Sequence, residues 1–111
     1  MDSDRRTNDR IGFRVFVDQG TPQGQDAICR AVNVSRTGMY LLRVPGKGNG
    51  QGARFAWLGF NLPDSGEAIR ALVEFVHTKR VGSLEASGVR FKYLFPEDRK
   101  RLDGYLARQV A

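Results

Sequence analysis

The chain of 111 residues has little of what several protein classes require. It contains one cysteine, Cys29, and one histidine, His77. A single cysteine excludes an internal disulfide, and one cysteine with one histidine excludes the common Cys/His zinc sites. No apolar run approaches the ~20 residues of a membrane-spanning helix, so we expect no membrane span. The first residues lack the apolar segment of a signal peptide, and the simplest expectation is a cytoplasmic protein.

Residues that carry catalysis are also sparse. Cys29 lies in a predicted strand, where we interpret it as a small buried hydrophobe. The serines are scattered around one histidine, and no pair of carboxylates clusters. The glycine-rich stretch 45–52 is not a phosphate-binding loop, because Lys47 is followed by Gly48 and not by Ser or Thr. We therefore predict a protein that is not an enzyme and has no cofactor.

Positive charge is in excess and unevenly placed. Eighteen Lys and Arg face twelve Asp and Glu, which gives a net charge of +6 and a pI near 10.1. Asp26 and Asp64 enclose a stretch with no acidic residue and five cations, and arginine far outnumbers lysine along the chain. Arginine offers a planar fork of donors that matches phosphates and guanine edges. The pattern fits an anionic partner, but it also fits a solvated basic surface.

Alternating apolar residues and turn signals predict an all-β domain that ends in one helix. After Pro96, the acidic Glu97 and Asp98 and the helical spacing of Leu102, Tyr105, Leu106 and Gln109 predict a helix at about 97–109. Six antiparallel strands with turns about every ten residues suggest a barrel or sandwich. The predicted strands are 11–17, 27–34, 39–44, 54–62, 68–78 and 86–94, with turn clusters that include 18–26, 63–66 and 80–83.

Two polar motifs flank the first two strands. Arg6 and Arg10 form an Arg-x-x-x-Arg pattern directly before the first strand, and Asn33, Ser35 and Gly38 form Asn-x-Ser-x-x-Gly between the second and third. Alone, the first is also consistent with a charged tail. The second is consistent with a turn in which Asn and Ser bond to the backbone and Gly adopts a positive φ.

In this order, with 22 residues between Arg10 and Asn33, the two motifs resemble those of the PilZ domain family. The resemblance covers nearly the whole chain and continues in three further segments: Gly38-Met39-Tyr40-Leu41, Gly88-Val89-Arg90-Phe91 and Pro96-Glu97-Asp98-Arg99. It implies a six-stranded antiparallel barrel of the split-barrel type with a C-terminal α-helix. PilZ domains are bacterial receptors for cyclic di-GMP, so it also implies that ligand.

The resemblance also assigns the site residues. Arg6 and Arg10 would grip guanine edges and phosphates, and Arg5 would add charge or stacking. Asn33, Ser35 and Gly38 would line the opposite side of the ligand. His77 falls near a position where relatives place a ring, and either stacks on a base or is an ordinary surface residue.

We accordingly expect a flexible arm over 1–10 that carries Arg-x-x-x-Arg, followed by the barrel over 11–111. Cyclic di-GMP would order the arm, and the change would be passed to a downstream protein partner. Two alternatives remain: a degenerate PilZ module that only binds proteins, and a small basic barrel that binds single-stranded nucleic acid. The second requires stacking aromatics, and the candidates are equally suited to a core: Phe13, Phe55, Trp57, Phe60, Phe75 and Phe91.

Overall fold

Six strands and one helix make up the fold in a computed structural model that describes residues 10–20, 26–44 and 54–110. The strands close into an antiparallel barrel in the order β1-β2-β3-β6-β5-β4. The predicted fold class is therefore confirmed. The expected arm over 1–10, apart from Arg10, and the loop 45–52 lie outside the described residues. The elements are β1 (Ile11–Gly20), β2 (Asp26–Val34), β3 (Gly38–Arg43), β4 (Phe55–Asn61), β5 (Ala68–Val81), β6 (Leu84–Leu94) and α1 (Pro96–Val110).

The barrel interior is built from alternate residues of each strand, because successive side chains of a strand point to opposite faces. In β4, for example, Ala56, Leu58 and Phe60 are buried, whereas Phe55 and Trp57 are exposed. Cys29 is also buried, and this burial raises the pKa of its thiol. Its interpretation as a core residue is confirmed. The largest fully buried apolar side chains are Phe13, Met39, Leu41, Leu58, Leu62, Ile69 and Leu102.

Strands extend into two of the predicted turns. Asp18, Gln19 and Gly20 were expected in a turn, but β1 continues through them because they pair with β2 on one side and with β4 on the other. These pairs close the barrel, a long-range requirement that local turn chemistry does not reveal. Likewise β5 runs to Val81 and β6 begins at Leu84, which reduces the predicted turn 80–83 to Gly82 and Ser83.

The helix α1 packs against the barrel core. Leu102 and Tyr105 are buried, and the Tyr105 ring lies 5.6 Å from the Phe13 ring, whereas Gln109 of the predicted apolar stripe is exposed. At the start of the helix, Asp98 Oδ2 accepts a hydrogen bond of 3.1 Å from the Arg70 backbone N–H. The helix is therefore fixed to β5 as well as to the core. No helix in the described ranges is long and apolar enough to cross a membrane.

Candidate ligand-binding face

Two of the predicted site residues, Asn33 and His77, lie in one row on the outer face of the barrel. The strand registers align Gly12, Asn33, Tyr40, Gly88 and His77 in one row that crosses β1, β2, β3, β6 and β5. His77 is exposed, and Asn33 and Tyr40 are half-buried. Residues far apart in the sequence thus form one continuous strip of surface, which we call the ligand face.

The two sequence motifs meet at one end of the ligand face. The Arg10 Nη1 atom donates a hydrogen bond of 3.1 Å to Asn33 Oδ1. Arg10 directly precedes β1, and β1 pairs with β2 so that Gly12 lies opposite Asn33. The register of the β1–β2 pair therefore brings the end of Arg-x-x-x-Arg to the start of Asn-x-Ser-x-x-Gly. Arg5 and Arg6, the other predicted residues of the first motif, lie outside the described part of the chain.

Ser35 shapes the tight connection between β2 and β3. Its Oγ accepts a hydrogen bond of 3.2 Å from the Thr37 backbone N–H and lies 3.3 Å from the Thr37 hydroxyl. Its own N–H donates to the Gly38 carbonyl at 2.9 Å. Ser35 is buried, whereas Arg36 and Thr37 are exposed. The serine therefore holds the turn, and the residues that follow it face solvent.

Gly38 is required for a reason that differs from the prediction. We expected a positive φ at this residue, but among the described residues positive φ occurs at Gly66 and Gly82. Gly38 is instead the first residue of β3, where a Cβ atom would come within 2.2 Å of the Val89 carbonyl oxygen. The glycine allows β3 and β6 to approach closely beside the connection 35–37 between β2 and β3, which we call the motif loop.

The His77 ring packs closely against a second glycine, Gly88, at the other end of the ligand face. A Cβ atom on Gly88 would come within 2.6 Å of His77 Cε1, so the imidazole can occupy this position only because Gly88 has no side chain. The Tyr40 ring lies 6.2 Å from the His77 ring at an angle of 42°. Tyr40 and Gly88 were not among the predicted site residues. The available signal was a glycine inside a strand, which often marks a close approach.

The motif loop is also connected to α1. Arg36 Nε lies 3.7 Å from Asp103 Oδ1, and Arg99 Nη1 donates to both Asp103 Oδ1 and the Arg36 carbonyl, at 3.2 Å and 2.9 Å. The Phe91 N–H donates to the Thr37 carbonyl at 2.8 Å. A displacement of the loop would therefore alter its contacts with β6 and with the helix.

Positive charge surrounds the next row of the barrel surface. Gly38 pairs with Arg90 and Arg90 with Glu74. The Glu74 carboxylate lies 3.0 Å from Arg54, 3.5 Å from Arg90 and 3.8 Å from Lys92. The hydrogen bond from Arg54 and the nearby cations lower the pKa of Glu74, so this carboxylate is ionised at neutral pH. Three cations around one carboxylate leave a positive excess beside the ligand face.

A cavity of about 200 Å³ lies outside the ligand face, with Phe16, Cys29, Leu42 and Arg43 among its lining residues. No group of three or more His, Cys, Asp or Glu side chains in the described ranges could hold a metal ion.

No protein-family model matches the chain, and no curated protein matches it. Several solved structures do match. Bacillus subtilis inhibitor of motility (MotI/DgrA) superposes with a TM-score of 0.79 at 16% identity, over 96% of this chain and 51% of that one. The PilZ domain of Escherichia coli YcgR, solved with c-di-GMP, gives a TM-score of 0.71 at 20% identity, over 96% of this chain and 94% of that one.

The K. pneumonia MrkH–c-di-GMP complex gives a TM-score of 0.74 at 16% identity, over 96% of this chain and 52% of that one. The chain thus spans about half the length of the MotI and MrkH chains and nearly all of the YcgR domain. All three are similar across the whole barrel and the helix. The resemblance that the sequence predicts is confirmed at the level of structure: the chain has the fold of the PilZ domain.

Proposed function

We propose that this protein is a cyclic di-GMP receptor that binds the dinucleotide on the ligand face and passes the signal to a protein partner. It acts by binding and not by catalysis, and it needs no cofactor beyond the ligand. Two structures with the same fold, those of YcgR and MrkH, contain c-di-GMP.

One observation carries this proposal. Arg10 and Asn33 belong to different motifs and are 23 positions apart, yet their side chains are joined by a hydrogen bond of 3.1 Å on an exposed surface. This contact supports a single site built from both motifs. The β1–β2 register places the two motifs side by side, and the exposed hydrogen bond shows that their polar side chains face the same stretch of surface.

The chemistry of these side chains suits a guanine dinucleotide. Guanine presents two adjacent acceptors, O6 and N7, and the fork of an arginine guanidinium can donate to both. The ligand also carries two phosphates, which Arg5, Arg6 and Arg10 would neutralise. The Asn33 amide would contact a second guanine edge.

His77 would provide a stacking surface at the far end of the ligand face. Its ring is exposed, is seated on Gly88 and has Tyr40 beside it. Stacking of a base on an aromatic side chain is worth about 1–3 kcal/mol. Arg10 lies near one end of this row and His77 at the other, so a ligand with two bases could engage both ends.

Signal transmission would begin with the arm. Residues 1–10 carry Arg5, Arg6 and Arg10 and, after Met1, no apolar residue. Ligand binding would order this arm across the ligand face, at a cost in chain entropy that lowers affinity. Amide exchange of residues 4–10 should slow when cyclic di-GMP is added, and an arm already protected in the free protein would contradict this step.

Calorimetric titration with cyclic di-GMP tests the receptor proposal directly. A bidentate arginine–guanine contact contributes roughly 1–3 kcal/mol, so Arg6→Ala or Arg10→Ala should weaken binding about ten- to a hundredfold. Arg10→Lys should recover little of this loss, because lysine lacks the fork.

Arg80→Ala is the matched control. Arg80 is an exposed arginine at the end of β5, where it pairs with Glu85 in the hairpin, so its removal changes the net charge equally. It should leave the affinity unchanged. GTP and a short oligonucleotide serve as ligand controls. Full affinity in Arg6→Ala and Arg10→Ala would exclude the site.

A further inference from the structure

Four large rings lie on the outer side of the β4–β5–β6 part of the sheet, where Phe55 pairs with Glu74 in the row next to the ligand face. Trp57 is stacked on Phe95, with centroids 6.0 Å apart and planes inclined by 17°, and Tyr93 meets Phe95 edge to face at 5.3 Å. Phe55 lies two residues before Trp57 on β4. All four are between 36% and 47% exposed. We call this surface the aromatic face.

This group of exposed rings is larger than the isolated apolar residues of an ordinary protein surface. Single exposed apolar residues are common on proteins, but contiguous apolar patches mark interaction sites. Phe95 contacts both Trp57 and Tyr93, and Trp57, Leu72 and Tyr93 are aligned in register across three strands. Because three of the four rings are on strands, little side-chain entropy would be lost when a partner covers them.

Cations border the aromatic face. The Arg70 guanidinium lies over the Trp57 ring at 5.7 Å and that of Arg54 over Phe55 at 5.6 Å. No carboxylate of the described residues forms an ion pair with Arg70. Arg54 shares the single, largely covered carboxylate of Glu74 with Arg90 and Lys92. On the β1 side the border is Asp18, across Gly59 from Arg70. The positive excess is therefore on the Glu74 side of the face, whereas at the end near α1 Arg101 is paired with Glu67, Glu97 and Asp98.

The arrangement of the rings favours a protein partner. A platform for nucleic-acid bases requires free ring faces, but Phe95 and Arg70 lie against Trp57, and Arg54 lies over Phe55. Membrane binding at an interface typically uses an amphipathic helix that inserts its apolar side, whereas these rings lie on a sheet. Tyr, Trp, Phe and Arg are the residues enriched in protein–protein interfaces.

We propose that the aromatic face is the docking surface for an acidic, apolar segment of a partner protein. Leucine or phenylalanine side chains of the partner would cover Trp57, Tyr93 and Phe95, and its carboxylates would pair with Arg70 and the cations around Glu74. The proposed receptor function is needed only to identify the bound protein as the downstream partner. The docking surface itself is tested without cyclic di-GMP.

Trp57 is the only tryptophan in the chain, so its fluorescence reports on this surface alone. The probe is a library of twelve-residue peptides in which Asp or Glu alternates with Leu or Phe, presented to the full chain. A matched library has Lys in place of the acids. We expect binders from the acidic library only, and these should shift or quench the Trp57 emission.

Two pairs of variants locate the binding. Arg70→Glu should weaken the selected peptides about tenfold or more, because attraction becomes repulsion. Its control is Arg30→Glu, since Arg30 lies over the exposed Phe16 ring at the same 5.7 Å on β1 and β2. Phe95→Ser should weaken binding similarly, with Phe16→Ser as its control. Thermal unfolding of each variant checks the fold. If Arg70→Glu proves to be unstable, the comparison of Phe95→Ser with Phe16→Ser decides the outcome.

The proposal is overturned if the acidic library yields no binder or if the lysine library binds equally well. It is also overturned if control and test variants lose the same affinity, or if only oligo(dT) or phosphatidylserine vesicles shift Trp57 emission. Arg70→Glu should keep its affinity for cyclic di-GMP, and Arg10→Ala should keep its affinity for the peptides. Failure of the docking surface and failure of the receptor proposal are therefore distinguishable.

Discussion

Gly38 and Gly59 both occupy strands of the barrel, but their surroundings differ. A Cβ atom at Gly38 would lie 2.2 Å from the Val89 carbonyl oxygen, whereas at Gly59 it would meet nothing within 4 Å. Gly38→Ala must therefore push β3 and β6 apart, and overpacking of this kind destabilises by about 1–3 kcal/mol. We expect urea unfolding to show this loss for Gly38→Ala and little change for Gly59→Ala. Equal stability of the two variants would contradict the close approach.

At Gly88 the close neighbour is a side chain and not the backbone. The His77 ring is exposed and can turn away from a new methyl group, so Gly88→Ala should leave the unfolding free energy nearly unchanged. If His77 stacks on a base, the displaced ring should weaken cyclic di-GMP binding by up to about tenfold. Calorimetry of Gly88→Ala measures this.

The double variant Gly88→Ala/His77→Ala provides the control for that prediction. Once His77 is removed, the glycine should have no further effect, because the two residues act through one contact. Additive losses in the double variant would show that Gly88 matters for a different reason.

These glycines also show what the sequence could not reveal at the residue scale. The pattern Asn-x-Ser-x-x-Gly predicts a turn, and Ser35 does bond to Thr37 in that turn. The reason for Gly38, however, depends on how closely β6 approaches β3, and β6 is about fifty residues later in the chain. The contact of His77 with Gly88 also depends on strand pairing, since the β5–β6 hairpin sets the register that places these two residues opposite each other.

At the element scale, alternation of apolar and polar residues is sufficient to locate all six strands. The strand ends are harder to predict, because they depend on pairing with distant strands. Asp18–Gly20 have turn-like composition, and they are extended only because β4 and β2 both pair with them. The helix is easier, since Pro96, Glu97 and the spacing of Leu102 and Tyr105 are local signals.

One ion pair ties the end of α1 to the turn after β4 and gives the fold a dependence on pH. The Arg108 Nε atom donates to Asp64 Oδ2 at 2.8 Å, and this hydrogen bond lowers the pKa of Asp64. A lowered carboxyl pKa stabilises the folded state above the ordinary value, about 3.9. That stability is lost as the pH falls through the lowered pKa.

Asp64→Asn should therefore be less stable than the natural chain at pH 7. Urea midpoints of both proteins between pH 7 and pH 2.5 measure the difference, which should be constant above about pH 5 and should shrink as the pH falls below about 3.9. Lys100→Ala, which alters an exposed helix residue with no ion pair among the described residues, should show a difference that does not depend on pH over this range. A pH-independent difference for Asp64→Asn would exclude the ion pair as its cause.

At the scale of the whole molecule, assembly of the candidate site follows from strand order. The motifs at Arg10 and at Asn33–Gly38 are joined because β1 and β2 are antiparallel neighbours, which the hairpin-like order of the sequence predicts. The contribution of β5 and β6 to the candidate site is harder to predict from the sequence. The barrel order β3-β6-β5 places His77 and Gly88 beside Tyr40, and although Gly88 begins one of the segments that resemble the family, no local pattern in the sequence predicts this contact.

The net charge of the whole chain provides the last test, because it separates specific from nonspecific binding of anions. Deletion of residues 1–10 removes three acids and three arginines, so the net charge stays at +6. Nonspecific binding of an oligonucleotide depends on this charge and should barely change. Cyclic di-GMP binding depends on Arg6 and Arg10 and should be lost.

Salt dependence distinguishes the same two modes in the undeleted chain. The logarithm of the binding constant for a single strand falls by about 0.7 for each neutralised phosphate per decade of salt. Cyclic di-GMP carries two phosphates, so its binding should depend weakly on salt and persist at moderate concentrations. Oligonucleotide binding engages more phosphates and should fall steeply. If the deletion abolished oligonucleotide binding and left cyclic di-GMP binding intact, the receptor proposal would be wrong, and the basic surface would be a nucleic-acid site.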